Sequence, residues 1–228
     1  MVGLIVVVGG YEWARLCRLG EGAARLYAAA MLALFALLVI LPFDRVVFAA
    51  GAAFWLLLAV PWLWRGVAPG HAPALAAAGF PILVPAGLAM VELSPLVVLL
   101  VLTLTSLADS AAYFTGRAWG RHKLAPSISP GKSWEGAAGG LAVGLAYAII
   151  CAALLGESAW APWLGAAALL IVMSIVGDLF ESAAKRQAAV KDSGTLLPGH
   201  GGVFDRIDSA TATLPIAALL WPLLKVPS

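Results

Sequence analysis

The chain has 228 residues, of which 62% are hydrophobic and 11% are charged, and its formal net charge at pH 7 is +2. A mean hydropathy of +0.97 excludes an ordinary soluble domain and predicts an integral membrane protein. The two cysteines, Cys17 and Cys151, lie in separate apolar surroundings, so the sequence indicates neither a disulfide framework nor a cysteine metal site. No polar stretch is long enough for a separate soluble domain, and we expect residues 1–228 to form one membrane domain.

Apolar stretches recur along the whole chain. A membrane-spanning helix needs about 20 predominantly apolar residues. With that window the sequence predicts eight apolar segments, of which the first is incomplete: 1–13, 26–41, 46–64, 73–91, 95–114, 136–155, 160–180 and 210–224. We therefore expect an all-α polytopic bundle of about seven to eight transmembrane helices, with a polar cavity that faces the cytoplasm.

Prolines and glycines within these segments predict how the helices bend and pack. A proline removes a helical hydrogen bond and kinks or breaks a helix. Pairs of small residues four apart allow two membrane helices to approach closely. The prolines concerned are Pro61, Pro81, Pro85, Pro215 and Pro222, and the glycines are Gly136, Gly139, Gly140 and Gly144.

The connections between the predicted segments alternate in charge. The odd-numbered connections carry twelve of the fourteen Lys and Arg residues, the even-numbered ones carry one, and Lys225 ends the chain. Basic residues mark the cytoplasmic side of a membrane protein. We therefore expect the connections around residues 117–132 and 185–206 to face the cytoplasm, and both termini to lie outside.

The first patterned polar stretch runs from Thr105 to Gly140. Asp109 is an acidic residue within an apolar segment, where a charge is costly, and it predicts a polar cavity. Polar and basic residues follow it, including Arg117, Arg121, Lys123, Ser129, Lys132, Ser133 and Glu135. Gly131-Lys132-Ser133 has the form of the end of a P-loop, but Pro126 stands where that motif needs a glycine, and the setting is a membrane loop. We therefore do not expect a P-loop ATPase.

The second patterned stretch runs from Gly177 to Ser209 and concentrates charge next to apolar segments. It holds five of the twelve carboxylates and four of the fourteen Lys and Arg residues: Asp178, Glu181, Asp192, Asp205 and Asp208, with Lys185, Arg186, Lys191 and Arg206. Ionisable groups beside apolar spans mark functional sites. The alternative is a solvated loop whose charge serves topology only, but the regular spacing of the residues favours a site.

Spacing brings the charges of this stretch together. Asp178, Glu181, Ser182 and Lys185 fall at i, i+3, i+4 and i+7, which places them on one face of a helix. The glycine-rich turn 198–202, with His200, Gly201 and Gly202, lets the backbone fold back closely. Asp205 and Asp208 then share one face of the next helix. Acidic groups from two helix ends beside basic ones suit a divalent metal ion bound to a polyphosphate.

Both stretches resemble one family. The string from Ser182 to Asp208, S-A-A-K-R-x4-K-D-x-G-x2-L-P-G-H-G-G-V-x-D-R-I-D, resembles the signature of the phosphatidate cytidylyltransferases, or CDP-diacylglycerol synthases. Residues 112–136 resemble the family pattern AYFxGRxxGxHKLAPxISPxKxWEG. The family often has Lys-Thr where this chain has Lys132-Ser133, a change that keeps the hydroxyl.

The resemblance implies a reaction and assigns roles to residues. The reaction converts CTP and phosphatidate to CDP-diacylglycerol and pyrophosphate, with Mg²⁺ as cofactor. The resemblance leaves open whether a monovalent cation such as K⁺ binds together with Mg²⁺. The expected roles are as follows: Asp178, Asp205 and Asp208 as metal ligands, with Asp192 next; Lys185, Arg186, Lys191 and Arg206 on phosphates; Arg117, Ser129, Lys132, Ser133, Ser182, His200, Gly201 and Gly202 around the substrates; and Asp109 and Glu135 on basic partners or a cation.

The expected partners are CTP, phosphatidate and membrane lipids, without a nucleic acid. From the resemblance alone we expect a homodimer in a bacterial-type inner membrane. Two alternatives differ in class: a related membrane enzyme that uses CTP on another lipid phosphate or a polyprenol, and a transporter. A transporter is expected to place charges at the midplane of broken, repeated helices, whereas this chain shows no internal repeat and keeps its charges in two loops.

The N-terminal segment differs from that of the family. Residues Tyr11 to Leu16 resemble the end of the second spanning segment in bacterial members. Those members usually have a complete span and a basic N-terminus before this point, so relative to them the chain reads as shortened. We expect this difference to affect stability more than chemistry, because the two motif stretches lie far downstream.

Overall fold

The computed structural model describes residues 1–156, 158–194, 196 and 201–224. Its helices and strands are, in chain order, α1 (Val2–Leu16), α2 (Glu21–Ile40), α3 (Asp44–Ala53), α4 (Val60–Arg65), α5 (Ala72–Glu92), α6 (Pro95–Trp119), β1 (Lys123–Ala125), β2 (Ser129–Ser133), α7 (Trp134–Leu155), α8 (Trp160–Ala188) and α9 (Asp208–Leu224). Short 3₁₀ turns occur at Pro69–His71 and Phe204–Arg206.

Among the described residues, six helical stretches are long and apolar enough to cross a membrane. They are Glu21–Ile40, Asp44–Arg65, Pro69–Glu92, Pro95–Trp119, Trp134–Leu155 and Trp160–Ala188. The first and last predicted segments form α1, with 15 residues, and α9, with 17 residues, both below the usual length of a span of about 20 residues. The prediction of an all-α polytopic membrane protein is confirmed.

The intrahelical prolines act in different ways. Residues Phe54–Ala59 are π-helical and join α3 to α4 in one continuous helix, and Pro61 follows directly, where it removes an N–H from the hydrogen-bond ladder. By contrast, α5 continues through Pro81 and Pro85. Membrane helices tolerate prolines when neighbouring groups satisfy the freed carbonyls.

An aromatic layer fixes the middle of the bundle to α8. Phe180 is 1% exposed, and the ring centroids of Phe54, Trp55 and Trp62 each lie 5.6 Å from its own. Trp13 stacks on the same ring at 6.3 Å. Rings from α1, from α4 and from the π-helical segment therefore meet on one residue of α8, and Glu181 is the next residue along the chain.

Glycines bring pairs of helices into close contact. A methyl group at Gly177 of α8 would lie 2.8 Å from the Asp208 carbonyl oxygen and 3.1 Å from the Ala212 Cβ on α9. A methyl group at Gly136 or Gly140 of α7 would lie 2.7 Å from a carbonyl oxygen of α6. The predicted close packing at Gly136 and Gly140 is confirmed.

A two-stranded hairpin lies between α6 and α7, in the stretch that the sequence identified only as a polar loop. Strands β1 and β2 are antiparallel, with Lys123 opposite Ser133 and Ala125 opposite Ser129. The Arg186 Nε of α8 donates a hydrogen bond of 3.3 Å to the carbonyl oxygen of Ile128, in the turn of the hairpin. The hairpin is thereby held against the end of α8.

The contact at Gly177 gives a stability prediction. Gly177→Ala places a methyl group against the backbone of α9, so we expect it to cost about 1–3 kcal/mol, as overpacking does, and to lower the midpoint of thermal unfolding in detergent. Gly165→Ala on the same helix is the matched control, because a methyl group there meets nothing within 4 Å. Equal unfolding midpoints for the two variants would contradict the importance of this contact.

Candidate active site

Three carboxylates cluster where α8 meets α9. Asp178 and Glu181 come from α8 and Asp208 from the first residue of α9, and one oxygen of each lies within 4.8 Å of the others. Glu181 is 3% exposed, and its Oε1 has no hydrogen-bond partner among the described residues. A buried carboxylate oxygen without a donor is costly, and beside two further carboxylates it suits a divalent cation.

Two lysines partly balance this acidic cluster. The Lys132 Nζ of β2 lies 2.6 Å from the Asp178 Oδ2. The Lys185 Nζ of α8 lies 2.7 Å from the Glu181 Oε2 and 2.9 Å from the Asp205 Oδ1. The first motif stretch therefore reaches the second through Lys132.

A polar cavity of about 610 Å³ opens beside the cluster. It lies between α6, the hairpin, α7 and α8. Its polar lining residues are Asp109, Tyr113, Arg117, Lys123, Ser129, Lys132, Ser133 and Asp178. This is the predicted cavity lined by both motif stretches, and its volume falls within the usual range of small-molecule sites. Asp178 belongs to both the cavity and the acidic cluster.

Three predicted residues of the first stretch also support the local fold. The Ser133 Oγ caps α7 by accepting a hydrogen bond of 3.1 Å from the Gly136 N–H, which leaves its own hydroxyl hydrogen free to donate. Arg117 donates to the Tyr113 hydroxyl at 3.1 Å. Asp109 accepts a hydrogen bond of 3.4 Å from the Ser209 Oγ, so it ties α6 to α9.

Glu135 stabilises the hairpin. Its carboxylate accepts hydrogen bonds from the Arg121 N–H at 3.1 Å and the His122 N–H at 3.2 Å, and it lies 2.6 Å from the His122 Nδ1. The expectation that Glu135 holds a basic partner therefore agrees with its contact to His122. It is not among the residues that line the polar cavity.

Asp205 organises the loop between α8 and α9. Its carboxylate accepts from the Lys185 Nζ at 2.9 Å, from the Ser193 N–H at 3.0 Å and from the Gly202 N–H at 2.7 Å. Burial raises the pKa of Asp205, but hydrogen bonds with Glu181 and Lys185 and from the two backbone amides outweigh burial and hold that pKa well below its usual range. The ionised form therefore stabilises the loop above the unfolded pKa of about 3.9, and this contribution is lost as the pH falls through the folded value.

The structure thus groups Glu181, rather than Asp205, with Asp178 and Asp208. Sequence reasoning placed Glu181 on the correct helix face but assigned it no role. The Asp205 carboxylate already accepts three N–H groups, so it has little capacity left for a metal ion.

The other predicted residues differ in their surroundings. Ser182 donates to the Asp178 Oδ1 at 3.3 Å. Gly201 has φ +81°, a left-handed conformation that favours glycine. Lys191, Asp192 and Arg206 are exposed. His200 lies outside the described residues.

Glu12 is a residue of this site that sequence reasoning missed. It is 4% exposed, and its carboxylate accepts hydrogen bonds from the Val203 N–H at 3.0 Å, the Phe204 N–H at 2.8 Å and the Ser193 Oγ at 3.2 Å. A charge within the first apolar segment was the available signal, as it was for Asp109. The N-terminal helix therefore directly contacts the loop that carries Asp205. The expectation that the N-terminal segment matters more for stability than for chemistry did not include this contact.

These features together describe a class of protein. Membrane-spanning helices end in a carboxylate cluster, and this cluster opens into a cavity lined by lysine, arginine and hydroxyl side chains. Such an arrangement is suited to phosphorylated substrates and their counter-ions. It is the arrangement expected of a membrane-embedded enzyme of phosphoryl or nucleotidyl transfer.

Comparison with known proteins gives the family. A family model described as the cytidylyltransferase family matches residues 1–224, and the chain belongs to this family. A phosphatidate cytidylyltransferase of Pseudomonas aeruginosa is 43% identical over 233 residues, which cover 96% of this chain and 86% of that protein. The resemblance seen in the two motif stretches is confirmed.

Two shorter matches concentrate on about half of the chain. A phosphatidate cytidylyltransferase of Haemophilus influenzae is 50% identical over 113 residues, which cover 47% of this chain and 39% of that protein. One of Brucella suis is 52% identical over 115 residues, which cover 50% of this chain and 41% of that protein.

The contacts of Glu12 predict a local effect on the α8–α9 loop. Glu12→Ala leaves the Val203 and Phe204 N–H groups without their acceptor, and hydrogen bonds to charged groups are worth about 1.5–3 kcal/mol each. We expect amide hydrogen exchange at Val203 and Phe204 to accelerate by about tenfold or more, because 1.4 kcal/mol corresponds to tenfold. Glu92→Ala, at an exposed position at the end of α5, is the control. Unchanged exchange in Glu12→Ala would show that other contacts fix the loop.

Proposed function

We propose that this protein transfers the cytidylyl group of CTP to phosphatidate, giving CDP-diacylglycerol and pyrophosphate. The observation that carries the proposal is the acidic cluster beside a cationic cavity of nucleotide size, in a chain 43% identical to a phosphatidate cytidylyltransferase over 96% of its length. The cavity has the charge that a triphosphate requires, and the membrane-spanning helices keep it near a lipid substrate.

Mg²⁺ is the proposed cofactor, and Asp178, Glu181 and Asp208 are its proposed ligands. Their oxygens converge, and the buried Glu181 Oε1 without a donor supports a cation there. Mg²⁺ binds one or two carboxylates together with phosphate oxygens and water. When bound, it would neutralise charge on the phosphates of CTP and on the leaving group. This ligand set differs from the one expected from sequence, because Glu181 replaces Asp205.

Basic and hydroxyl groups of the cavity would bind the triphosphate. Lys132 lies against Asp178, so its ammonium group stands between the acidic cluster and the cavity. Arg117 and Lys123 also line the cavity, and a guanidinium group can hold a phosphate through two hydrogen bonds. Ser129 offers a hydroxyl on the same wall. These contacts would fix the α-phosphate for attack.

The reaction itself requires positioning more than a covalent intermediate. A phosphate oxygen of phosphatidate forms a bond to the α-phosphorus of CTP, and the bond from that phosphorus to the oxygen bridging the β-phosphorus breaks. The electron pair leaves with pyrophosphate. Such in-line transfer depends on orientation and on neutralising charge, and the clustered lysines and carboxylates supply both.

We further propose that the protein lies in a bacterial inner membrane with both motif stretches on the cytoplasmic side. Twelve of the fourteen Lys and Arg residues fall in odd-numbered connections, and basic residues favour the cytoplasm. CTP is soluble and phosphatidate stays in the bilayer, so a cytoplasmic cavity gives access to both. The proposed homodimer has its support in the family resemblance, and the mass of the protein–detergent complex tests it.

The metal ligands give a prediction for activity. With radiolabelled CTP and phosphatidate in detergent, we expect CDP-lipid formation that requires Mg²⁺, measured with and without K⁺. Asp208→Asn and Glu181→Gln are each expected to lower kcat by about a hundredfold or more, as loss of electrostatic stabilisation does, and to weaken Mn²⁺ binding measured by electron paramagnetic resonance. Glu92→Gln, an exposed acid on α5, is the control and should keep both properties.

Each negative result of this experiment would contradict a different part of the proposed function. Turnover without a divalent cation, or full activity of Asp208→Asn, would overturn the metal assignment. CTP binding by the wild-type protein without product would overturn phosphatidate as the acceptor, and other lipid phosphates would then be tested. An absence of CTP binding would overturn the proposed function.

A further inference from the structure

A second large cavity borders the α8–α9 loop. Its volume is about 940 Å³, and α1, α2 and the loop residues Ser193, Gly194 and Leu196 line it. The polar cavity beside the acidic cluster and this groove share no lining residue. The groove has no part in the proposed binding of CTP.

The polarity of the groove changes along its length. Helices α1 and α2 pack together and are joined by residues 17–20, and so short a connection makes them antiparallel. Arg15 and Arg25 line the groove near that connection, whereas Val7, Val8 and Leu32 line it further along the helices. Seven residues separate Arg15 from Val8 and Arg25 from Leu32, a distance of about 10 Å in a helix. One end of the groove is therefore cationic and the other is apolar.

Both arginines keep donors available. The Arg15 NH1 donates to the Leu19 carbonyl oxygen at 2.9 Å, and Arg25 pairs with Glu21, yet the Arg25 side chain is 71% exposed. A guanidinium group has five N–H donors, so each of these contacts leaves others free. The acidic lining residue Glu12 already accepts hydrogen bonds from Ser193, Val203 and Phe204. The cationic end is therefore suited to a phosphate group.

The membrane setting indicates the rest of the ligand. Helix α2 is a candidate span of which only 22% is buried inside the protein, so one side of the groove meets lipid. An apolar channel about 10 Å long beneath a phosphate site matches the upper part of two acyl chains. A soluble nucleotide would leave the end at Val7, Val8 and Leu32 unfilled.

We propose that this groove binds phosphatidate before it reacts, an inference that rests on the proposed function. Arg15 and Arg25 hold the phosphate, whose two negative charges match two guanidinium groups. The acyl chains lie along the apolar end. The loop wall of the groove includes Ser193, whose N–H donates to Asp205, so the bound lipid touches the loop that connects to the acidic cluster through Lys185.

Native mass spectrometry tests the groove without turnover. The protein in detergent is exposed to equimolar phosphatidate, phosphatidylglycerol and phosphatidylcholine with identical chains. We expect phosphatidate to be retained in preference to both other lipids, and the double variant Arg15→Gln/Arg25→Gln to retain about tenfold less of it, a loss of 1.4 kcal/mol. The double variant Arg15→Lys/Arg25→Lys should recover part of the retention, and Arg65→Gln, an exposed arginine outside the groove, should keep all of it.

A second pair of matched variants tests the apolar end of the groove. Leu32→Trp fills the groove and should lower phosphatidate retention and raise KM for phosphatidate, while KM for CTP stays unchanged. Leu37→Trp lies on the same helix at an exposed position outside the groove and should alter neither KM. The midpoint of thermal unfolding shows that each variant is folded.

The outcomes separate the groove from the reaction. Unchanged phosphatidate retention and unchanged KM in the arginine-to-glutamine variant would overturn the groove. Equal retention of phosphatidylglycerol would overturn phosphatidate as its ligand, and a change in oligomeric mass would show that the groove is an interface between copies. If the wild-type protein retains phosphatidate through these arginines but forms no CDP-lipid, the groove stands and the proposed reaction falls.

Discussion

The convergence of three acidic side chains is the constraint on which the rest of the site depends. Asp178, Glu181 and Asp208 converge within 4.8 Å next to apolar helices, where unbalanced charge is costly. Lys132 and Lys185 balance part of it, and each lysine comes from a different element. The cluster can form only if the hairpin, α8 and α9 are all held in place, so the fold around it keeps three acidic side chains together.

Packing of side chains, rather than further charged groups, holds the acidic cluster in place. Phe180 precedes Glu181 and is surrounded by rings of three other chain segments, and Gly177 precedes Asp178 and permits contact with the backbone of α9. The two acids of α8 therefore follow directly on the two residues that fix this helix to its neighbours. Because packed interiors resist deformation, the cost of burying three acidic groups together is not relieved by moving the helices apart. A bound cation would relieve it without movement, which is the physical basis of the proposed metal site.

Local sequence patterns predicted the helices and the face of α8 well, but not the contacts made by the loop. Hydrophobic segments gave spans close to the observed bounds, and a helical period of 3.6 placed Asp178, Glu181 and Lys185 on one face. The role of Asp205 depends on the amides of Ser193 and Gly202, which no periodicity describes. Glu12 lies 181 residues from Ser193 in the chain, so its part in the site follows only from the tertiary fold, although its charge in an apolar segment was visible.

The α8–α9 loop has a different kind of environment on each side. On one side Asp205 connects through Lys185 to the acidic cluster and the cavity proposed for CTP. On the other side Ser193 and Gly194 form a wall of the groove between α1 and α2. An enzyme that joins a soluble nucleotide to a membrane lipid must admit two ligands that share no solvent, and a polar cavity and an amphipathic groove that are connected through Ser193, Asp205 and Lys185 meet that requirement. Glu12 and Asp205 hold this wall by accepting hydrogen bonds from its backbone N–H groups, so its position depends on one carboxylate from α1 and one from the loop itself.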